Sequence, residues 1–201
     1  MTKDTFNRGN TKDIDHLRWD TKRRERSFKC PIFSIDNVVR SSQDGREGTF
    51  VTVHSPKWIV VIPYFKDDNG VAHFIIEQQY RHGSDSVTRE FPAGLVEEGE
   101  DPLEAAKREL FEETGAVAEK WTLLGNVSPN SAFMDNRQYF YFAEDLSIKG
   151  EQHLDLNEQI DVLSIPVDEV ISEMGTGLWD NGIMMMALGF FLRLKLNRKD
   201  L

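Results

Sequence analysis

Short runs of β-branched and aromatic residues, separated by polar turn clusters, fill most of this chain, and only a few stretches shift to a helical period. Residues 32–40 and 49–54 read as strands around Ser41-Ser42-Gln43-Asp44-Gly45, which predicts a small N-terminal sheet. Residues 58–65 and 71–79 flank Lys66-Asp67-Asp68-Asn69-Gly70, a second hairpin signal, and 87–91 runs into the rigid turn Phe91-Pro92-Ala93-Gly94. A helix is expected next: Asp101 can cap it, Pro102 suits its first position, Glu104 completes a capping box, and Thr114-Gly115 ends it. Strand patterns resume over 121–127, 138–143 and 160–165, and helical periods return over 167–174 and from about 180 to 197. This order predicts a mixed sheet packed between helices.

The chain has 201 residues, of which 39% are hydrophobic, enough for a genuine core in one main domain. Thirty-four acidic against 24 basic residues give a net charge of −10, which repels an extended nucleic-acid backbone, so nucleic acid is not an expected partner. A small anionic substrate would then need locally placed arginines and metal ions. Cys30 is the one cysteine, so no internal disulfide and no CxxC site are expected. No apolar run approaches the roughly 20 residues of a membrane span, and no secretory core is present, so a soluble, cytoplasmic protein is expected. The first 29 residues are polar and include the basic run Lys22-Arg23-Arg24-Glu25-Arg26, read as a solvated helix or arm without assigned function. The five histidines show no paired spacing, which disfavours zinc, and Met184-Met185-Met186 with Phe190-Phe191 read as core or dimer packing.

The predicted central helix sets a conflict. At about 100° per residue, Leu103, Ala106 and Leu110 form an apolar stripe, while Glu109 and Glu113 fall on a neighbouring face with Glu112 beside them. Carboxylates bordering a core repel one another and are costly to desolvate, unless they surround a hard divalent cation such as Mg²⁺, or Mn²⁺ in its place. Arg108 lies four residues after Glu104 and four before Glu112, where it can pair along the helix.

Gly94, five residues, Glu100, seven residues, then Arg108-Glu109-Leu110-Phe111-Glu112-Glu113-Thr114-Gly115-Ala116 resembles the signature box of the Nudix hydrolases. Ala116 departs from the family's usual bulky aliphatic residue. The approach Glu77-Gln78-Gln79-Tyr80-Arg81-His82-Gly83, with Arg89-Glu90-Phe91-Pro92-Ala93-Gly94, is similar to the branch that hydrolyses ADP-ribose and related nucleoside diphosphate sugars. The resemblance implies an α/β/α sandwich with a mixed sheet, residues 57–201 as the catalytic domain, and residues 1–56 as an arm and small antiparallel sheet through which two copies form a homodimer.

It also implies site residues. Glu109 and Glu113 would be the primary metal ligands, Glu112 would support them, and the Ala93 carbonyl would complete the set. Arg108 would orient the glutamates and Glu100 would hold the loop against the helix. Glu158 matches best the branch's catalytic base, with Asp155 and Asp161 as alternatives. Arg81 is the preferred phosphate contact, because a guanidinium binds two phosphate oxygens at once, and Glu90 lies beside the substrate; either can instead form a structural ion pair. Pro129, in Ser128-Pro129-Asn130, stands near the place of a proline that lines the terminal ribose in ADP-ribose hydrolases. Its spacing and the following asparagine fit a broader nucleoside diphosphate sugar hydrolase equally well. Cleavage of nucleoside triphosphates or capped RNA, and sensing of a nucleotide sugar without turnover, are the competing expectations.

Overall fold

A computed structural model of the chain describes residues 14–198 and 200–201; the start of the polar N-terminal stretch lies outside the described residues. The chain divides into two packing units, one running through Ser55 and including Asn130–Asp135, the other holding Pro56–Pro129 and Asn136–Leu201. Among the described residues no helix is long and apolar enough to cross a membrane.

The first unit is a three-stranded antiparallel sheet in the order β1 (Trp19–Lys29), β2 (Ser34–Ser42), β3 (Glu47–His54). The basic run expected as a solvated helix or arm is instead part of β1. Its local charge is tolerated because β1 is an exposed edge strand, where lysine and arginine discourage further pairing. Two register shifts in the β1–β2 ladder mark bulges. Arg24 and Arg26 both reach Asp36 on β2, which is 1% exposed. The segment Asn130–Asp135 docks along β3: Val53 N–H donates to the Phe133 carbonyl at 2.7 Å, and Asp135 N–H to the Val53 carbonyl at 3.1 Å.

The second unit contains β4 (Trp58–Lys66), β5 (Ala72–Arg81), β6 (Ser86–Glu90), β7 (Ala93–Leu95), α1 (Pro102–Thr114), β8 (Ala116–Val127), β9 (Gln138–Ile148), β10 (Ile160–Pro166), α2 (Val167–Glu173) and α3 (Gly182–Lys195). Its seven-stranded sheet runs β10-β5-β4-β9-β8, with β6 added to β5 and β7 to β4; β4 and β9 are parallel and the other pairs antiparallel. Alternation along the strands sorts the core into two layers. Val60, Ile62, Phe74, Phe140 and Phe142 pack under α2 and α3, whereas Ile59, Val61, Ile75 and Tyr141 pack under Ala105, Ala106 and Leu110 of α1. Helices on both faces of a mixed sheet make the expected sandwich. Met184 and Phe191 belong to the α3-side core, and Met185, Met186 and Phe190 pack against it.

One irregularity positions everything that follows. β4 and β5 pair only from Tyr64 to Lys66 and then diverge. Beyond that point β4 pairs with β7 and β5 with β6, so Phe91-Pro92 wedges the sheet open, held by Val61 N–H to the Pro92 carbonyl at 2.9 Å. α1 starts over this gap. Its cap is Asp101, whose Oδ1 accepts from Leu103 N–H at 2.8 Å, and its stop is Gly115 at φ 69°, where a Cβ would stand 2.2 Å from the Gly150 carbonyl oxygen.

Candidate active site

The divergence of β4 and β5 brings the end of β5, the β6–β7 turn and α1 around one small volume. Glu113 of α1 is 4% exposed and its Oε2 accepts from the Ala93 amide at 3.0 Å. In this arrangement Ala93 contacts the cluster through its N–H rather than its carbonyl. Glu109, one turn earlier, lies flat against Gly94: a Cβ there would be 2.0 Å from Glu109 Oε1, so any larger residue would displace the carboxylate. Arg108 uses all five of its donors. They reach Glu100 twice at 3.0 Å, the Leu95 carbonyl at 3.0 Å, Glu109 at 2.8 Å and Glu112 at 3.0 Å, tying the loop before the helix to the acidic face.

A further acid lies behind these. Glu77, on β5, is fully buried and faces the Glu113 carboxyl. No N–H or hydroxyl of the described residues reaches its Oε1, Oε2 has the Gln79 amide at 3.5 Å, and the Glu113 carboxyl lies within hydrogen-bonding reach. Burial pushes the pKa of both Glu77 and Glu113 far above the carboxylate range, and Glu113 is raised further by the neighbouring Glu77 and Glu109. Without a cation, the pair therefore holds a proton. Burial also raises Glu109, against the opposing pull of Arg108. Glu90, opposite Glu77 on β6, behaves differently: burial acts upward, but two hydrogen bonds from Arg81, at 3.0 and 2.7 Å, bring it below the usual range, and Thr88 donates as well.

The donor set suits a hard divalent cation: it is all oxygen, crowded, anionic and largely shielded from water. The unsatisfied Glu77 Oε1 is the observation that points beyond an ordinary ion-pair network. The carboxylates are gathered in pairs, and among the described residues no three acidic, histidine or cysteine side chains already form a closed ligand set.

The other expected residues stand at varying distance from this group. Glu112 is half-exposed at its edge. Glu158 is exposed on the loop before β10, its carboxylate accepting from the Asp155 N–H at 3.0 Å, yet near enough to raise Glu109 electrostatically. That loop is drawn over α1 by His153 N–H to the Glu112 carbonyl at 2.7 Å and by Gln152, which donates to the carbonyls of Glu113 and Ile160. Asp155 and Asp161 are exposed. Pro129 follows β8, separated from β5 by β4 and β9 in the sheet order, and is not part of the hydrogen-bonded group.

Residues 56–185 match the NUDIX domain family, a segment that includes every side chain of this cluster. The chain belongs to the Nudix family. Among its relatives, a methanol dehydrogenase activator of Bacillus methanolicus is 36% identical over 154 residues, covering 73% of this chain and 81% of that one. An ADP-ribose pyrophosphatase of Bacillus subtilis is 34% identical over 98 residues, or 48% of this chain and 53% of the relative. A crystal structure of an ADP compounds hydrolase superposes with a TM-score of 0.78 at 21% identity, over 92% of this chain and 97% of the other, a likeness of fold.

Within this Nudix site the sequence reading missed Glu77 as a functional candidate. It closes the apolar run Phe74-Ile75-Ile76, which the period marks as buried strand, and a lone acid at the inner end of such a run was the available signal. What it faces depends on where α1 crosses the sheet.

Proposed function

We propose that this Nudix hydrolase cleaves the pyrophosphate bond of ADP-ribose or a related nucleoside diphosphate sugar, releasing a nucleoside monophosphate and a sugar phosphate. The observation that carries the reading is the shielded carboxylate group of Glu113 and Glu109 beside the Arg81 guanidinium, in a chain whose relatives include a named ADP-ribose pyrophosphatase.

In this reading Glu109 and Glu113 hold Mg²⁺ or Mn²⁺, with Glu112 in support. A bound divalent ion supplies charge neutralisation of the pyrophosphate oxygens and acidifies a water. Arg108 keeps Glu109 and Glu112 in place through its fixed fork of donors, so little side-chain freedom is lost when substrate arrives. Arg81 is held by Glu90 along one edge while its side chain stays 42% exposed, which leaves it oriented to meet a phosphate. Glu158, on a solvent-facing loop beside Glu109, accepts a proton from the attacking water. Pro129 borders the sugar, and two copies pair through the N-terminal sheet of a cytoplasmic protein.

The test is product-resolved hydrolysis of ADP-ribose, GDP-mannose, UDP-glucose, a dinucleoside polyphosphate and a nucleoside triphosphate, each with Mg²⁺ and with chelator. Metal-dependent release of a monophosphate and a sugar phosphate from one of the first three is expected. Turnover confined to the last two substrates would make the chain a triphosphate-type hydrolase. A second reading is favoured by the Bacillus methanolicus relative, which is named as an activator of another enzyme: binding of a nucleotide sugar without turnover, seen as silence on all five substrates together with measurable binding.

A further inference from the structure

Four acids of the described residues are almost fully buried, Asp36, Glu77, Glu90 and Glu113, and two of them are answered by arginine. Asp36 accepts from Arg24 and Arg26, and Glu90 accepts twice from Arg81 and once from Thr88. Glu77 has no such answer. It sits on β5 between β10 and β6, directly across from Glu90 in the ladder, and the one guanidinium nearby, that of Arg81, bonds Glu90. That guanidinium is committed to Glu90. Glu77 Oε1 accepts from no N–H or hydroxyl of the described residues, at 0% exposure, and the carboxyl that Glu77 meets belongs to a second acid, Glu113. Leaving a buried acceptor unpaired is destabilising, the more so for a charged group, and an apolar Leu at this strand position would avoid the cost.

We infer that Glu77 is an additional ligand of the divalent cation, binding it from the sheet side of the cluster while Glu109 and Glu113 approach from the helix. The inference rests on the cation site proposed above and adds to it a ligand from outside the helix and its preceding turn. The donor that Oε1 lacks is the cation. An additional anionic oxygen would let this chain bind the ion tightly before any substrate phosphate is present, and would fix the ion relative to Arg81, four residues along the same strand.

The experiment is direct titration of the purified full chain with Mn²⁺, read by the loss of its free-ion EPR signal, in the absence of nucleotide. Wild type is compared with Glu77→Gln, Glu113→Gln and the exposed charge control Glu104→Gln. Glu77→Gln is expected to weaken Mn²⁺ binding by roughly tenfold or more, alongside Glu113→Gln, while Glu104→Gln matches wild type. In chelator, Glu77→Gln is expected to melt no lower than wild type. Wild-type Mn²⁺ affinity in Glu77→Gln, with affinity lost in Glu113→Gln, would overturn the inference and leave the cation site standing. Failure of wild type itself to bind Mn²⁺ would remove the cation site and the inference together. If Glu77→Gln does not fold, anomalous diffraction from Mn²⁺ in wild-type crystals decides: a Glu77 oxygen at roughly 2.1 Å from the ion supports direct ligation, and a water-bridged or more distant Glu77 refutes it.

Discussion

The N-terminal sheet and the catalytic unit each bury an acid, and they neutralise it in opposite ways. Asp36 lies in a sheet whose neighbouring strand offers two arginines, and their hydrogen bonds hold its carboxyl below the usual range. Glu77 and Glu113 lie under a helix that offers more acid, and burial drives both upward. The first arrangement is complete as folded. The second is complete only with a shared proton or a bound cation.

The largest effect should come from breaking the second arrangement at its centre. Glu113→Gln is expected to keep the fold yet lower Mg²⁺-dependent turnover on the order of a hundredfold or more, since several kcal/mol of charge stabilisation depends on the held ion; steady-state rates check this, and wild-type rates would remove Glu113 from the site. Glu158→Gln should follow, with a rate loss on the order of a hundredfold, unchanged circular dichroism and nearly unchanged Mn²⁺ affinity; a proportional loss of affinity would make Glu158 a ligand instead of a base. Gly94→Ala should act through Glu109 alone, because the new Cβ falls on that carboxylate. Its expected signature is weakened Mn²⁺ binding in the titration, about tenfold, with the melting temperature in chelator close to wild type.

The two regions should also respond to pH with opposite sign. Glu77 and Glu113 have folded values raised above their unfolded ones, so their contribution to stability is full below the ordinary carboxylate range and is lost as pH rises through the raised values. In chelator the melting temperature should therefore fall as pH rises from the ordinary carboxylate range through about 8, the raised value of Glu77, and excess Mg²⁺ should flatten the fall. Asp36 has a lowered folded value, so its contribution is present above the unfolded value and lost as pH falls through the folded one. The smallest effect follows from this: Asp36→Asn should lower the melting temperature at neutral pH with or without Mg²⁺, and should leave turnover per folded molecule unchanged.

Local chemistry carried much of this protein. Turn residues and strand periods marked β2 to β6 and β10 within a few residues, together with the end of β8 and the start of β9, and Asp101, Pro102 and Gly115 bounded α1, because caps and turns are decided by neighbours in the chain. The acidic face of that helix, with Arg108 placed to pair along it, was equally legible, since residues three and four apart on a helix are fixed neighbours. The basic run of β1 was not, because a charged edge strand has no period of its own and is specified by its pairing with β2. Nor was the docking of Asn130–Asp135 along β3, which brings together residues far apart in sequence. Glu77 was the most consequential omission. The sequence by itself determined that this chain builds a helix able to gather acids at the edge of a core; only the tertiary structure, by splitting β4 from β5 and laying α1 across the gap, decided that a buried glutamate from the sheet, with no arginine of its own, would face them.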